Sequence, residues 1–138
     1  PNDPANTARA YRLLEKAGWI KLRKGVDPLQ ATKSDIAKNP HHLKFMEMDS
    51  AQIPRNLRDL AYGVVPGSIA YSAKLKPSAS LLHENVVKQY ELVAVTTKEK
   101  QNQPWVKAVK KAYRSKAFKQ YLKKHNTNDY WFVPKELK

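Results

Sequence analysis

The chain has 138 residues, with 26 Lys and Arg against 12 Asp and Glu, a formal net charge of +14 and no cysteine. This length suits one domain of roughly 100–200 residues, and the lack of cysteine excludes disulfides, cysteine metal sites and thiol nucleophiles. The charge suggests nucleic acid, membrane headgroups or acidic ligands as partners, and no apolar run approaches the roughly 18 residues that a membrane helix needs.

The first segment predicts a helix and then a strand. Asp3 is a suitable N-cap and Gly18 a suitable stop, so we expect a helix over Pro4–Ala17. Apolar and polar residues then alternate over Trp19–Lys24, which predicts a half-buried strand. The hydrophobic period therefore changes from about 3.6 to 2 residues between these two elements.

The middle of the chain predicts further alternation of helices and strands, from its apolar spacing and its turn residues. The expected elements are a short helix at Ser34–Lys38, a strand at Leu43–Met48, a helix through Ile53, Leu57 and Leu60, a strand at Tyr62–Val65, helical turns at Ser68–Ala73 and a strand at Leu92–Thr96. These elements together indicate an α/β fold.

The C-terminal part predicts two basic amphipathic helices. Gln103 precedes a helix over Pro104–Tyr113, and Ser115 is a suitable N-cap for a second helix that includes Leu122. Nine cationic residues and no acidic one lie between Lys100 and Lys124. We interpret them mainly as a solvated lysine face, with a phosphate-binding surface as the alternative.

The sequence contains no recognisable catalytic or metal-binding constellation. His41 and His42 are adjacent, so on a strand they would point to opposite faces, and no further ligand stands at a suitable spacing. Arg9 is the most informative residue. It lies in the second turn of the first predicted helix, near Asn6, where it suits a ligand carboxylate; the alternative is an ordinary surface arginine.

Three motifs carry a family resemblance. PNDPANTAR at residues 1–9, LLEKAGWIKL at residues 13–22 and AQIPR at residues 51–55 occur in the order seen in the NlpA-type, methionine-binding lipoproteins of bacterial ABC importers, which the chain resembles. The resemblance is dense to about Ala73 and continues in register to about Lys124.

The resemblance implies a class II periplasmic-binding-protein-like α/β fold, in which two lobes close on a ligand. Residues 1–88 would form most of the second lobe, without its upstream strands. Residues 89–138 would form the crossover strand and the C-terminal helices that belong to the first lobe. The start at a proline, with no initiator methionine, indicates a piece of a longer protein, and the lipid anchor typical of the family would lie on the missing N-terminal part.

The resemblance also implies a function in the cell envelope. The protein would bind methionine, or a related amino acid or small peptide, and deliver it to the permease subunits of an ABC importer, with no cofactor and no covalent chemistry. Arg9 matches the family arginine that grips the amino-acid carboxylate, and Asn6, one turn earlier, would support it.

Two departures from the family pattern affect the ligand. Pro66 and Gly67 stand where members commonly have Asn-Gly, so a side-chain amide is lost. Glu91 aligns with an asparagine that contacts the ligand's amino-acid backbone, and a carboxylate can accept hydrogen bonds from an ammonium but cannot donate to a carboxylate. Two explanations stay open: the ligand is not L-methionine, or the alignment is off by one residue and Glu91 faces solvent.

Two other functions remain as alternatives. The chain could be a basic nucleic-acid-binding module, although no motif of that class supports it. It could also be a fragment that binds no ligand by itself. A lobe without its partner would expose apolar surface and unpaired strand edges, so we expect the isolated chain to dimerise or exchange strands.

Overall fold

The structure is a computed structural model that describes residues 1–127 and 131–137. It divides into two compact units, Pro1–Asn85 and Val86–Lys138. The boundary expected from the sequence lies three residues further on, between residues 88 and 89, and the assignment of the units to lobes stays a prediction. None of the helices in the described ranges is long and apolar enough to cross a membrane.

Helix α1 spans Pro4–Lys16 and confirms the first predicted helix. The Asp3 carboxylate accepts a 3.0 Å hydrogen bond from the backbone N–H of Asn6, which satisfies one of the free donors at the helix start. The helix ends where Gly18 adopts a left-handed φ of 75°. The N–H groups of Gly18 and Trp19 then reach back to carbonyls of the last turn, as in a Schellman motif.

A small antiparallel sheet packs beside α1. Strand β1 (Lys21–Leu22) pairs with β2 (Ile36–Lys38), and Leu22 lies opposite Ile36. The predicted strand at Trp19–Lys24 is therefore confirmed at its central residues. The core of this unit is made of buried side chains from α1, from β1 and the residue before it, and from the loop between the strands, namely Ala8, Tyr11, Ile20, Leu22 and Ala31.

The helix predicted at Ser34–Lys38 is wrong. The segment begins as a 3₁₀ turn over Lys33–Asp35, in which the carboxylate of Asp35 accepts hydrogen bonds from the backbone and hydroxyl of Thr32. The chain then extends into β2, because Ile36–Lys38 finds hydrogen-bonding partners in β1. Pairing with a neighbouring strand outweighs a helix propensity that is weak over so few residues.

The strands predicted at Leu43–Met48, Tyr62–Val65 and Leu92–Thr96 are also wrong for this chain, since the described residues form only the two-stranded sheet of β1 and β2. A strand exists through hydrogen bonds to a neighbour, and the apolar pattern of a segment does not supply that neighbour. The consequence is clearest at Leu92, which is fully exposed.

Two short helices complete the first unit. Helix α2 covers Ile53–Asn56, so the predicted helix forms but ends before Leu60. Helix α3 covers Gly67–Ser72 and confirms the helical turns predicted at Ser68–Ala73.

The second unit contains the two predicted basic helices. Helix α4 spans Pro104–Tyr113 and α5 spans Lys116–His125, which confirms both. The Ser115 hydroxyl caps α5 by accepting a 3.1 Å hydrogen bond from the N–H of Phe118. The rings of Tyr113 and Phe118 then meet edge to face with centroids 4.9 Å apart, which fixes the turn between the helices.

Candidate ligand-binding site

Helix α1 holds Arg9 on a rigid support. Ala8 and Tyr11 bury their side chains in the core and thereby fix the helix. Residue 9 lies about 200° around the helix from residue 11, so the arginine projects away from the side on which Tyr11 is buried. About one third of the Arg9 side chain is exposed, at 32%.

The guanidinium of Arg9 holds a carboxylate in the structure. Nε donates a 3.0 Å hydrogen bond to Oε2 of Glu84, and Nη2 donates to Oε1 of the same residue. These two parallel contacts form the fork geometry typical of arginine and a carboxylate. Arg9 is therefore positioned to bind a carboxylate group through two parallel hydrogen bonds.

Asn6 connects Arg9 to the cap of the helix. Its Oδ1 accepts a 3.1 Å hydrogen bond from Nη1 of Arg9, while its Nδ2 donates to both carboxylate oxygens of Asp3 at 3.0 and 3.2 Å. The backbone N–H of Asn6 lowers the pKa of the Asp3 carboxyl below its ordinary value, so Asp3 is ionised at neutral pH. The helix cap thus sets the orientation of the Asn6 amide, and that amide contacts the arginine.

The segment that carries Glu84 is held against α1 at a second point. Nζ of Lys16 donates 2.7 Å hydrogen bonds to the carbonyl oxygen of His83 and to Oδ1 of Asn85. Lys16 lies seven residues after Arg9, which is about two helical turns, so both cations are on the same side of α1. The 83–85 segment therefore runs along this side of the helix.

The other predicted site residues lie on separate elements. Pro66 is the N-cap of α3 and accepts a 2.9 Å hydrogen bond at its carbonyl from Ala70, and Gly67 is the first residue of that helix. Glu91 belongs to the second unit, where it is half-buried and follows a 3₁₀ turn that begins at Lys88. Ligand contacts by Pro66, Gly67 and Glu91 stay predictions.

The contact between Glu84 and Arg9 could not be predicted from the sequence. The residue lies 75 positions after Arg9 and in no recognisable motif. A pairing of this separation leaves no periodic signal in one sequence. Composition gave only a general indication that Glu84 would pair with a cation. The 26 cationic residues outnumber the 12 acidic ones, so each acidic residue has many possible cationic partners.

A pocket of about 130 Å³ lies on another side of α1, beside Tyr11. The Tyr11 hydroxyl donates a 2.6 Å hydrogen bond to Oε1 of Glu47. Burial, together with this bond to a carboxylate, raises the pKa of the Tyr11 phenol. The pocket walls are otherwise largely apolar and include Phe45, and the lining residues do not include Arg9.

Metal chemistry finds no support in the described ranges, 1–127 and 131–137. Within them, no three His, Cys, Asp or Glu side chains are grouped so that they could hold a metal ion. His41 and His42 are both exposed.

Comparisons with known proteins identify the family. A family model described as NlpA lipoprotein matches residues 1–134. The probable D-methionine-binding lipoprotein MetQ of Vibrio cholerae is 38% identical over 116 residues, which are 83% of this chain and 43% of that protein. The chain thus spans less than half the length of this curated relative.

Solved structures agree on the fold. A periplasmic substrate-binding protein of an ABC transporter from Coxiella burnetii matches with a TM-score of 0.83 and 37% identity, over 94% of this chain and 54% of that one. A nutrient binding protein from Burkholderia cenocepacia, solved with bound methionine, matches with a TM-score of 0.73 and 35% identity, over 93% of this chain and 55% of that one. The predicted α/β fold of the periplasmic-binding-protein class is confirmed, and the chain belongs to the NlpA lipoprotein family.

Proposed function

We propose that this chain is part of the substrate-binding component of an ABC importer, and that it binds methionine or a related amino acid or small peptide. The observation that carries the proposal is that the guanidinium of Arg9, held on α1, pairs with a carboxylate group, here that of Glu84. The names of the relatives support it, since they include a probable D-methionine-binding lipoprotein and a binding protein solved with methionine. The comparisons lend no support to the alternative of nucleic-acid binding.

In this function Arg9 binds the carboxylate of the ligand. A guanidinium has five N–H donors, so it can serve more than one carboxylate and an amide oxygen together. A hydrogen bond to a charged group contributes about 1.5–3 kcal/mol, or roughly ten- to a hundredfold in affinity. Asn6 contributes by holding the guanidinium from the side of the helix cap.

Residues 1–88 and 89–138 are assigned to the second lobe and to the returning part of the first. Pro66, Gly67 and Glu91 are expected to contact the ligand. Two outcomes stay open for Glu91: it changes the preference for methionine, or the alignment is off by one residue and its side chain faces solvent. A lipid anchor outside this chain would hold the protein in the cell envelope, where it would deliver its ligand to the permease.

The proposal is tested by identifying the bound ligand. The full-length protein is purified without denaturation, its ligand is released by unfolding, and the released small molecules are identified by mass spectrometry. We expect methionine, a related amino acid or a short peptide. A protein that releases none of these, and that gives no heat of binding when titrated with methionine, would contradict the proposal.

A further inference from the structure

We infer that Glu84 is a specificity-determining residue of the Arg9 site: it orients the guanidinium and gives it a counter-charge, so that the site favours a zwitterionic amino acid over a carboxylate that lacks an ammonium group. This inference rests on the proposed function, because it assumes that the ligand carboxylate approaches Arg9.

The geometry gives Glu84 control of the guanidinium orientation. Its two oxygens accept from Nε and Nη2, and Asn6 accepts from Nη1, so contacts on two sides fix the guanidinium plane. Glu84 is itself held, because Lys16 bonds to both of its neighbours, His83 and Asn85. The Glu84 carboxylate is thus held by Arg9 and by the anchoring of its neighbours to Lys16. We expect it to stay beside Arg9 when ligand binds.

The charge of Glu84 then acts on the ligand. A ligand carboxylate that approaches Arg9 also approaches a second carboxylate and is repelled by it. The ammonium of an amino acid lies one carbon away from its own carboxylate and is attracted by Glu84 to a similar degree. The repulsion is thus largely offset for a zwitterion, and it acts unopposed on an anion of the same shape.

The size of this effect follows from Coulomb's law. Two unit charges about 6 Å apart at an effective dielectric constant of about 20 correspond to up to roughly a hundredfold in binding. The side chains of Arg9 and Glu84 are 32% and 27% exposed, and solvent screening at such exposure reduces the effect to about tenfold.

The experiment compares L-methionine with N-acetyl-L-methionine, which keeps the carboxylate and side chain but has no ammonium group. Both are titrated by calorimetry into the full-length protein and into its Glu84→Gln variant. We expect the preference for methionine over its N-acetyl derivative to fall by about tenfold in Glu84→Gln. Glu84→Asp, which keeps the charge, should retain most of the preference.

Glu47→Gln is the matched control. It removes the same charge from the same unit, but the hydrogen-bond partner of Glu47 is Tyr11, on another side of α1 from Arg9, so the preference should not change. If Glu84→Gln binds both compounds with an unchanged ratio, whether more weakly or more tightly, the inference is overturned while the proposed function stands. If the unaltered protein binds neither compound nor any amino acid or peptide, the proposed function fails and the inference fails with it.

Discussion

Nη1 of Arg9 donates a 3.1 Å hydrogen bond to the side-chain oxygen of Asn6, one helical turn earlier on α1. The other end of that amide donates to Asp3, the N-cap of the same helix. Rotation of the amide would break contacts on both sides, so Asn6 is held in one orientation. The helix cap and the proposed ligand arginine are therefore parts of one hydrogen-bonded chain.

Asn6→Ala should weaken ligand binding less than loss of the arginine would. The variant removes one hydrogen bond to Arg9, worth about 1 kcal/mol or roughly fivefold in affinity. Calorimetry with methionine on the full-length protein measures this change. Asn56→Ala is the control. The Asn56 side chain donates to the carbonyl of Gln52 at the start of α2, so it lies on a different helix from Arg9. Equal losses in both variants would show that Asn6 has no special relation to the site.

The Asp3 cap makes stability depend on acid pH. The folded-state pKa of Asp3 is lowered, chiefly by the N–H of Asn6, so its contribution is complete above the unfolded-state pKa of about 3.9 and is lost as the pH falls through the folded value. Asp3→Ala should cost about 1 kcal/mol at neutral pH, and Asp3→Asn much less. Urea unfolding at several pH values measures both.

The Asp3→Ala variant also tests the direction of this pH dependence. The difference in stability between the unaltered protein and Asp3→Ala should shrink once the pH is below about 3.9, because the native carboxyl is then increasingly protonated. A difference that is constant from neutral to acid pH would contradict the role of the ionised cap.

The stabilisation that the Tyr11–Glu47 hydrogen bond provides should be lost at alkaline pH. Tyr11 is only 3% exposed, and its pKa is raised by burial and by the bond to Glu47. A raised folded-state pKa means that the stabilisation is present below the unfolded value of about 10 and is lost as the pH rises above it. Tyr11→Phe should cost about 1 kcal/mol at neutral pH.

The same variant tests this account of Tyr11 by its pH profile. Thermal unfolding is followed between pH 8 and 11 for the unaltered protein and for Tyr11→Phe. The stability difference between them should decrease above about pH 10, since the variant has no phenol at this position to ionise. Parallel profiles would show that the Tyr11 hydroxyl titrates normally.

The isolated 138-residue chain should self-associate. Leu92, Val93 and Val95 are 100%, 77% and 87% exposed, and an apolar β-prone segment of this kind is a ready site for pairing with a second copy. Sizing chromatography with light scattering should show a dimer that weakens when Val93 and Val95 are both replaced by Lys. A strict monomer at high concentration would refute this prediction.

Local signals predicted the three longest helices well, the short helices less well and most of the strands poorly. The ends of α1, α4 and α5 follow from caps and stop residues that lie within a few positions of each helix, such as Asp3, Gly18 and Ser115. Strands depend on neighbours that are remote in sequence, so the apolar segment at Leu92–Thr96 has the composition of a strand but no partner strand among the described residues.

The candidate site shows the same difference between local and long-range contacts. Arg9 and Asn6 are three residues apart on one helix, and the sequence alone placed them together. Glu84 reaches Arg9 through the tertiary fold, by way of a segment that Lys16 also holds. Contacts between residues so far apart in the sequence leave no periodic pattern, so Glu84 could be identified as the partner of Arg9 only from the structure.

The most direct test of the central claim is the affinity of Arg9 variants for methionine. Calorimetry is performed on the full-length protein, on Arg9→Ala and on Arg9→Lys, with circular dichroism to confirm folding. Arg9→Ala should lower the affinity by about ten- to a hundredfold. Arg9→Lys should recover only part of it, because a lysine ammonium lacks the planar array of five N–H donors that can serve Glu84, Asn6 and a ligand carboxylate together. An unchanged affinity in folded Arg9→Ala would contradict the assignment of Arg9 as the residue that binds the ligand carboxylate.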